Sequence, residues 1–234
     1  MLMKDKLYIG ALIYPNVDQA DFTGPFEVLS RIPDSSFHVI AKNRNPIRDV
    51  RGLILTAELT FQEAPRFDVL VVPGGAGQEE LMGDEITLSF LRDQASTARY
   101  VFSVCTGALL CGAAGLLRGV NATTHWSALD LLGYFGAIPV NRRVVIDGKC
   151  VSAAGVTAGL DGAFRLVSLL RGDDVAQQIQ LSVEYAPQPI FNAGSPQTAP
   201  ADILKAVRSS YEDIADRRLA TARKVAARLG IAEK

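Results

Sequence analysis

The stretch Arg99–Ala114, RYVFSVCTGALLCGAA, leaves a chain few ways to fold. Tyr100 to Val104 form a β-branched and aromatic run, Cys105, Thr106 and Gly107 interrupt it at once, and Ala108 to Ala114 are helix formers. The order is strand, abrupt turn, helix. A cysteine at such a corner is gripped by a strand end on one side and faces the first free backbone N–H groups of a helix on the other. Those groups stabilise a thiolate and lower its pKa. Gly107 keeps the bend close, because a larger residue would crowd the strand it leaves. Burial in a core is the commonest fate of cysteine; the corner position favours a nucleophile at Cys105 instead.

The rest of the chain repeats the strand-then-helix order. Leu7 to Tyr14 read as a buried strand, ended by Pro15 and Asn16. Pro25 suits the first turn of a helix carrying Phe26, Val28 and Leu29. Phe37 to Ala41 and Phe67 to Val72 read as strands, Leu53 to Thr56 as a small extra one, and Glu79 to Ala98 as a single helix. After a helix exit at Gly115 to Gly119, Val120 to Thr124 predict a strand and Ser127 to Tyr134 a helix. VVIDGKCVSA places Asp147 and Gly148 at the turn of a hairpin, Val144 to Asp147 with Cys150 to Ala153. Helices over Thr157 to Arg171 and Asp174 to Tyr185 follow. This alternation predicts an α/β fold, a mostly parallel sheet covered by helices on both faces. Chemistry then gathers at the carboxyl ends of the strands: Tyr14 to Gly24, Val72 to Gly77 and Val104 to Gly107. Beyond the irregular crossing Pro187 to Pro200, one charged helix runs over Asp202 to Leu229, with Ile203, Val207, Tyr211 and Ile214 at helical spacing. Residues 1–199 therefore read as the catalytic domain, and 200–234 as a helical extension packed on it or on a partner subunit.

Lys and Arg number 24 against 25 Asp and Glu, a formal net charge of −1, so no overall positive field gathers nucleic acid or anionic lipid. Apolar residues make up 48% but lie in short runs, which argues against a membrane span. Met1 to Lys6 alternate in charge and lead straight into a strand, so a cytoplasmic location is the expectation. Cys105, Cys111 and Cys150 are an odd set, consistent with free thiols in a reducing compartment. His38 and His125 are the only histidines, and no ligand spacing for a protein-built metal site accompanies them.

Around Cys105, Asp21 in DFTGP is a carboxylate on the same sheet edge; Asp18 and Glu27 are rivals, and Asp21 could equally cap a helix. A carboxylate touching a thiolate has its pKa raised by like charge, which fits it to give and take protons. PGGAG at Pro73 to Gly77 is no dinucleotide fingerprint; Gly74 and Gly75 there can bring a backbone N–H to the reacting atom, or simply form a turn. Thr106 offers an N–H and a hydroxyl beside the sulfur, for substrate or as a cap. His125 could pair with Cys105, while its neighbour Trp126 suggests a pocket wall. His38 reads as a packed strand residue. Cys111 falls on another helix face and reads as core, and Cys150 has no evident partner.

Taken in order, DFTGP (Asp21 to Pro25), PGG (Pro73 to Gly75), SVCTGA (Ser103 to Ala108) and ATTHW (Ala122 to Trp126) resemble the DJ-1/PfpI superfamily. LLRG at Leu116 to Gly119, AGLD at Ala158 to Asp161, EYAP at Glu184 to Pro187 and FNAGSP at Phe191 to Pro196 extend the likeness nearly end to end, in particular to its bacterial isocyanide (isonitrile) hydratases. The resemblance implies a flavodoxin-like sandwich, a homodimer and no cofactor. It implies Cys105 as nucleophile, Asp21 as carboxylate where many superfamily members have glutamate, and Thr106 beside the nucleophile. Phe22 departs from the Leu usual in the hydratases. An isocyanide carbon would accept the Cys105 sulfur, with Asp21 as general acid and base, to give a thioimidate that water converts to an N-substituted formamide. The Gly75 and Thr106 N–H groups would hold the reacting carbon. Two other readings stand beside it: a glyoxalase-like or protease-like cysteine hydrolase, which an essential His125 would favour, and a redox sensor or chaperone in which Cys105 is oxidised without turnover. A similar module heads AraC-type transcription regulators, but one charged helix after Pro200 is a poor fit to two helix-turn-helix units.

Overall fold

The computed structural model describes residues 6–231; the alternating charges expected at the extreme N-terminus fall mostly outside them. β1 (Leu7–Leu12) leads through α1 (Gln19–Leu29) to β2 (Ser35–Ala41), and the short antiparallel pair β3 (Ile47–Arg48) and β4 (Ile54–Leu55) precedes β5 (Leu59–Thr60) and β6 (Val69–Val72). α2 (Gln78–Leu81) and α3 (Glu85–Thr97) lead to β7 (Tyr100–Val104) and α4 (Gly107–Ala113). β8 (Asn121–Ala122), a 3₁₀ segment over Trp126–Phe135 and β9 (Ile138–Pro139) come next, then the hairpin β10 (Val144–Asp147) and β11 (Cys150–Ala153). The chain finishes with α5 (Ala158–Arg171), α6 (Asp173–Ser182), α7 (Ala201–Ser209) and α8 (Glu212–Leu229).

The central sheet has the order β10-β11-β7-β6-β1-β2-β5, parallel throughout except where β10 pairs antiparallel with β11. Its middle strands are apolar on both faces, since all four residues of β6 are buried and so are Val101, Phe102 and Val104 in β7. Helices therefore flank it: α1 and α5 pack together with α6 beside them, while α2, α3 and the 3₁₀ segment gather around α4. The chain leaves β1 toward β2 and later returns to β6 on the other side of β1. The crevice at the carboxyl ends of β1 and β6, with β7 adjoining, is thus the topological switch point where ligands bind in open α/β sheets.

Several elements differ from their sequence expectation. α1 starts at Gln19, and Pro25 lies in its interior. The start is set by Asp18, whose carboxylate accepts the Ala20 N–H at 3.1 Å, so Asp18 rather than Asp21 is the cap. The expected helix from Glu79 to Ala98 breaks around Gly83 into α2 and α3, and the C-terminal helix breaks at Ser210 into α7 and α8. The helix expected after Trp126 is 3₁₀ in form. α8 buries Ala222, Val225 and Ala226 and packs on the 3₁₀ segment and α2. Ile203 and Val207 of α7 stay largely exposed. No helix among the described residues is long and apolar enough to cross a membrane.

Candidate active site

Cys105 sits between β7 and α4 with φ = 55°, in the left-handed region. Holding a residue other than glycine there costs on the order of 1 kcal/mol and persists only where surroundings enforce it. Two bonds do so: the Cys105 N–H donates to the Ala153 carbonyl at 3.0 Å, and the Thr124 hydroxyl donates to the Cys105 carbonyl at 2.7 Å. Gly107 completes the bend, although the strand it would crowd is the neighbour. A Cβ there would lie 2.0 Å from the Val72 carbonyl oxygen, at the end of β6.

Asp21, in the first turn of α1, reaches the same corner and is 0% exposed. Its Oδ2 accepts the Gly74 N–H at 2.9 Å, while Oδ1 has no hydrogen-bond partner of good geometry. Gly74 fits between the two halves of the site: a Cβ there would lie 2.6 Å from both the Thr106 nitrogen and Oγ1, and 2.9 Å from Asp21 Oδ2. The Gly75 N–H does not face the reacting atom as expected, since it donates to Thr106 Oγ1 at 3.2 Å. The Thr106 N–H is the backbone donor that faces the Cys105 sulfur.

The electrostatics of the pair are unusual. Burial pushes the Asp21 carboxyl up from 3.8 to about 7, the Asp18 charge adds to this, and the Gly74 N–H and Cys105 thiol oppose it. The rise was expected, but from contact with a thiolate; burial and Asp18 are its causes. The Cys105 thiol, expected to be low, is held above its ordinary range by burial first and the Asp21 charge second, against the Thr106 N–H and the Arg218 guanidinium. Tyr14, whose hydroxyl lies 2.7 Å from the Pro73 carbonyl and 2.9 Å from that of Gly74, is likewise raised by burial, then by Asp21 and Cys105.

Cys105 opens on a cavity of about 290 Å³ whose walls include Gly75, Thr106, His125, Val156, Tyr211, Ile214 and Arg218. His125 makes no bond to Cys105: its Nδ1 meets the Ser127 hydroxyl at 2.8 Å and the Ser127 N–H at 3.3 Å. Burial, then Arg218, push its imidazole down to about 4, which leaves it neutral and a weak base. Trp126 stands behind that wall, 6.0 Å edge-on from Tyr211, and does not line the cavity. Glu27 pairs with Arg31 on the exposed face of α1, and His38 pairs with Glu58, both away from Cys105. Cys111 is buried in α4, and the Cys150 thiol faces the Leu116 carbonyl at 3.7 Å.

Sequence reasoning missed Tyr14, and it missed Tyr211, Ile214 and Arg218, which come from the far end of the chain. The recurrence of Ile203, Val207, Tyr211 and Ile214 at three and four residues marked a helix face without marking which surface it would meet, and Arg218 was not part of that pattern. Among the described residues no group of three or more His, Cys, Asp or Glu side chains is placed to hold a metal ion.

Known proteins share this arrangement of chain. A crystal structure of a ThiJ/PfpI family protein from Pseudomonas syringae superposes with a TM-score of 0.91 at 40% identity, over 93% of this chain and 90% of that one. Drosophila melanogaster DJ-1beta shares the fold, with a TM-score of 0.71 at 20% identity over 79% of this chain and all of the other. In sequence, an isonitrile hydratase of Pseudomonas putida is 52% identical over 202 residues, 86% of this chain and 89% of the relative. The family model described as the DJ-1/PfpI family matches residues 9–169, a span that holds Asp21, Gly74, Gly75 and Cys105. The chain belongs to the DJ-1/PfpI family.

Proposed function

We propose that this protein is an isonitrile hydratase, adding water to an isocyanide to give an N-substituted formamide. The observation that carries the reading is the buried pairing of Cys105 with a carboxyl group poised near 7, in a chain 52% identical to an isonitrile hydratase. A group with that pKa takes and gives protons with equal ease near neutral pH.

The steps balance without an oxidant or a cofactor. Asp21 takes the proton of the Cys105 thiol, the sulfur bonds to the terminal carbon of R–N≡C, and that carbon receives the proton, giving the thioimidate R–N=CH–S. Water, deprotonated by Asp21, then bonds to the same carbon as the nitrogen is protonated. The C–S bond breaks, the electron pair leaves with sulfur, and R–NH–CHO departs as the thiol recovers its proton. The Thr106 N–H, turned toward the sulfur, steadies the negative charge there before attack. His125, held near 4, is a wall of the pocket in this scheme, which disfavours the cysteine-histidine hydrolase alternative.

Three free cysteines suit a reducing, cytoplasmic setting. A homodimer is part of the proposal: Leu181, Ile190 and Phe191 are 82%, 88% and 76% exposed, a degree of apolar exposure that a second copy would relieve. Light scattering across a concentration series should give twice the chain mass, and a monomer throughout would remove that part. For the activity, the purified protein is mixed with a simple aryl isocyanide and formamide is followed by chromatography. Turnover lost in Cys105→Ala is expected; no formamide above the uncatalysed level from the wild type would overturn the reading.

A further inference from the structure

Arg218, on α8, is buried at 7% exposure and contributes its guanidinium to the wall of the cavity on which Cys105 opens. A buried cation normally has an anion beside it. Among the described residues Arg218 has no ion pair. Every acceptor it uses is uncharged: Nε donates to Gln78 Oε1 at 3.2 Å, and Nη2 to the Gly75 carbonyl at 3.0 Å and Thr106 Oγ1 at 3.4 Å. Asp18 lines the same cavity without a hydrogen bond or ion pair to Arg218, and Glu79 lies 3.9 Å from Arg217 instead. Gln78 is itself buried, and its Nε2 has no hydrogen-bond partner, so only the carbonyl half of its amide is in use. An amide at this place grips the guanidinium without neutralising it.

We propose that Arg218 is the counter-ion of the site: its guanidinium, fixed at the cavity wall by three uncharged acceptors, balances the negative charge that the Cys105 sulfur carries when it attacks. The inference rests on Cys105 being the attacking group. The groups facing Cys105 are few. Asp21 of α1 and Asp18 at its N-terminal cap oppose a negative sulfur, while Tyr14 after β1, its ionisation pushed up by burial, and His125 are neutral. Arg51 also reaches the cavity wall, but on a loop rather than within hydrogen-bonding reach of Thr106. Arg218 is the cation that draws the thiol down against burial and Asp21, and the thiolate in turn supports the guanidinium. It acts through Cys105 and is a positioning residue in that sense.

The test reads the thiol and not the turnover. Carbamidomethylation of Cys105 by iodoacetamide is measured against pH, resolved by peptide mass spectrometry, in the wild type, Arg218→Gln, Arg218→Lys and Gln78→Glu. Gln78→Glu keeps Arg218 and the hydrogen bond but gives the guanidinium a carboxylate of its own. Both Arg218→Gln and Gln78→Glu are expected to raise the midpoint by about one pH unit or more, the scale of a lost neighbouring opposite charge. Arg218→Lys, which retains the charge, is expected to stay close to the wild type. An unchanged midpoint in Gln78→Glu overturns the inference even where Arg218→Gln fails to fold, and so does a rise in Arg218→Lys equal to that in Arg218→Gln. A shifted midpoint in a protein that hydrates no isocyanide would retain the counter-ion and discard the hydratase reading.

Discussion

The Thr124 hydroxyl donates to the Cys105 carbonyl oxygen at 2.7 Å, across 19 residues, and both groups are buried. It is one of two bonds that hold the cysteine in its left-handed conformation, so the geometry of the sulfur depends on a residue that never meets the cavity.

Thr124→Val keeps the shape and removes the donor, leaving the Cys105 carbonyl without this partner. Loss of about 1–3 kcal/mol in stability is expected from the unsatisfied buried acceptor, measured by urea unfolding. Turnover should fall because the elbow relaxes, and Thr124→Ser should recover most of both. A Val variant as active and stable as the wild type would show that the elbow holds itself.

Gly74→Ala places a methyl group 2.6 Å from the Thr106 nitrogen and 2.9 Å from Asp21 Oδ2, closer than real Cβ contacts come. The loop must move away from one of them, and the Gly74 N–H bond to Asp21 is broken or stretched. Formamide production should drop at least tenfold, roughly the cost of losing one such bond. Normal turnover with an unaltered melting temperature would contradict the tight fit.

The strand-turn-helix order around Cys105 was legible because strand and helix formers meet there without overlap, and the hairpin at Asp147 and Gly148 because its turn chemistry is local. The start of α1 was misjudged because Pro25 carries a strong local preference, whereas Asp18 is fixed from outside: its N–H donates to the Gly74 carbonyl at 2.9 Å. The same long-range tie explains why Asp21 could be named yet not separated from a cap. The high Cys105 thiol was illegible, since helix position alone predicts the opposite and only burial beside Asp21 reverses it. Arg218 was out of reach because nothing local to α8 states that it lies against Gly75 and Thr106.

Among the three free thiols only Cys105 borders the cavity. Cys105→Ala should abolish hydration, while Cys150→Ser and Cys111→Ala should keep most of it. Cys111 is 0% exposed, and losing its sulfur should lower stability by roughly 1 kcal/mol, well under the larger core truncations. Initial rates and urea midpoints on the three variants separate these effects. An active Cys105→Ala protein would remove the nucleophile from the mechanism.

In the proposed mechanism Asp21 links stability to catalysis, and its substitution reads both. A carboxyl whose pKa rises from 3.8 to about 7 on folding binds its proton more tightly in the native state than in the unfolded chain. The stability it contributes is complete below 3.8 and is lost as pH rises through about 7. Asp21→Asn cannot ionise, so its urea midpoint should gain on that of the wild type as pH rises across this window. The variant should also be easier to alkylate at Cys105, because the like charge that raises the thiol has gone. Hydration should nevertheless fall by about 10² to 10⁴, the usual contribution of positioned proton transfer. His125→Ala, with an imidazole already neutral at working pH, should lose far less, through packing against Tyr211. A folded Asp21→Asn protein with near-normal turnover, set against an inactive His125→Ala, would transfer the acid-base role to the histidine.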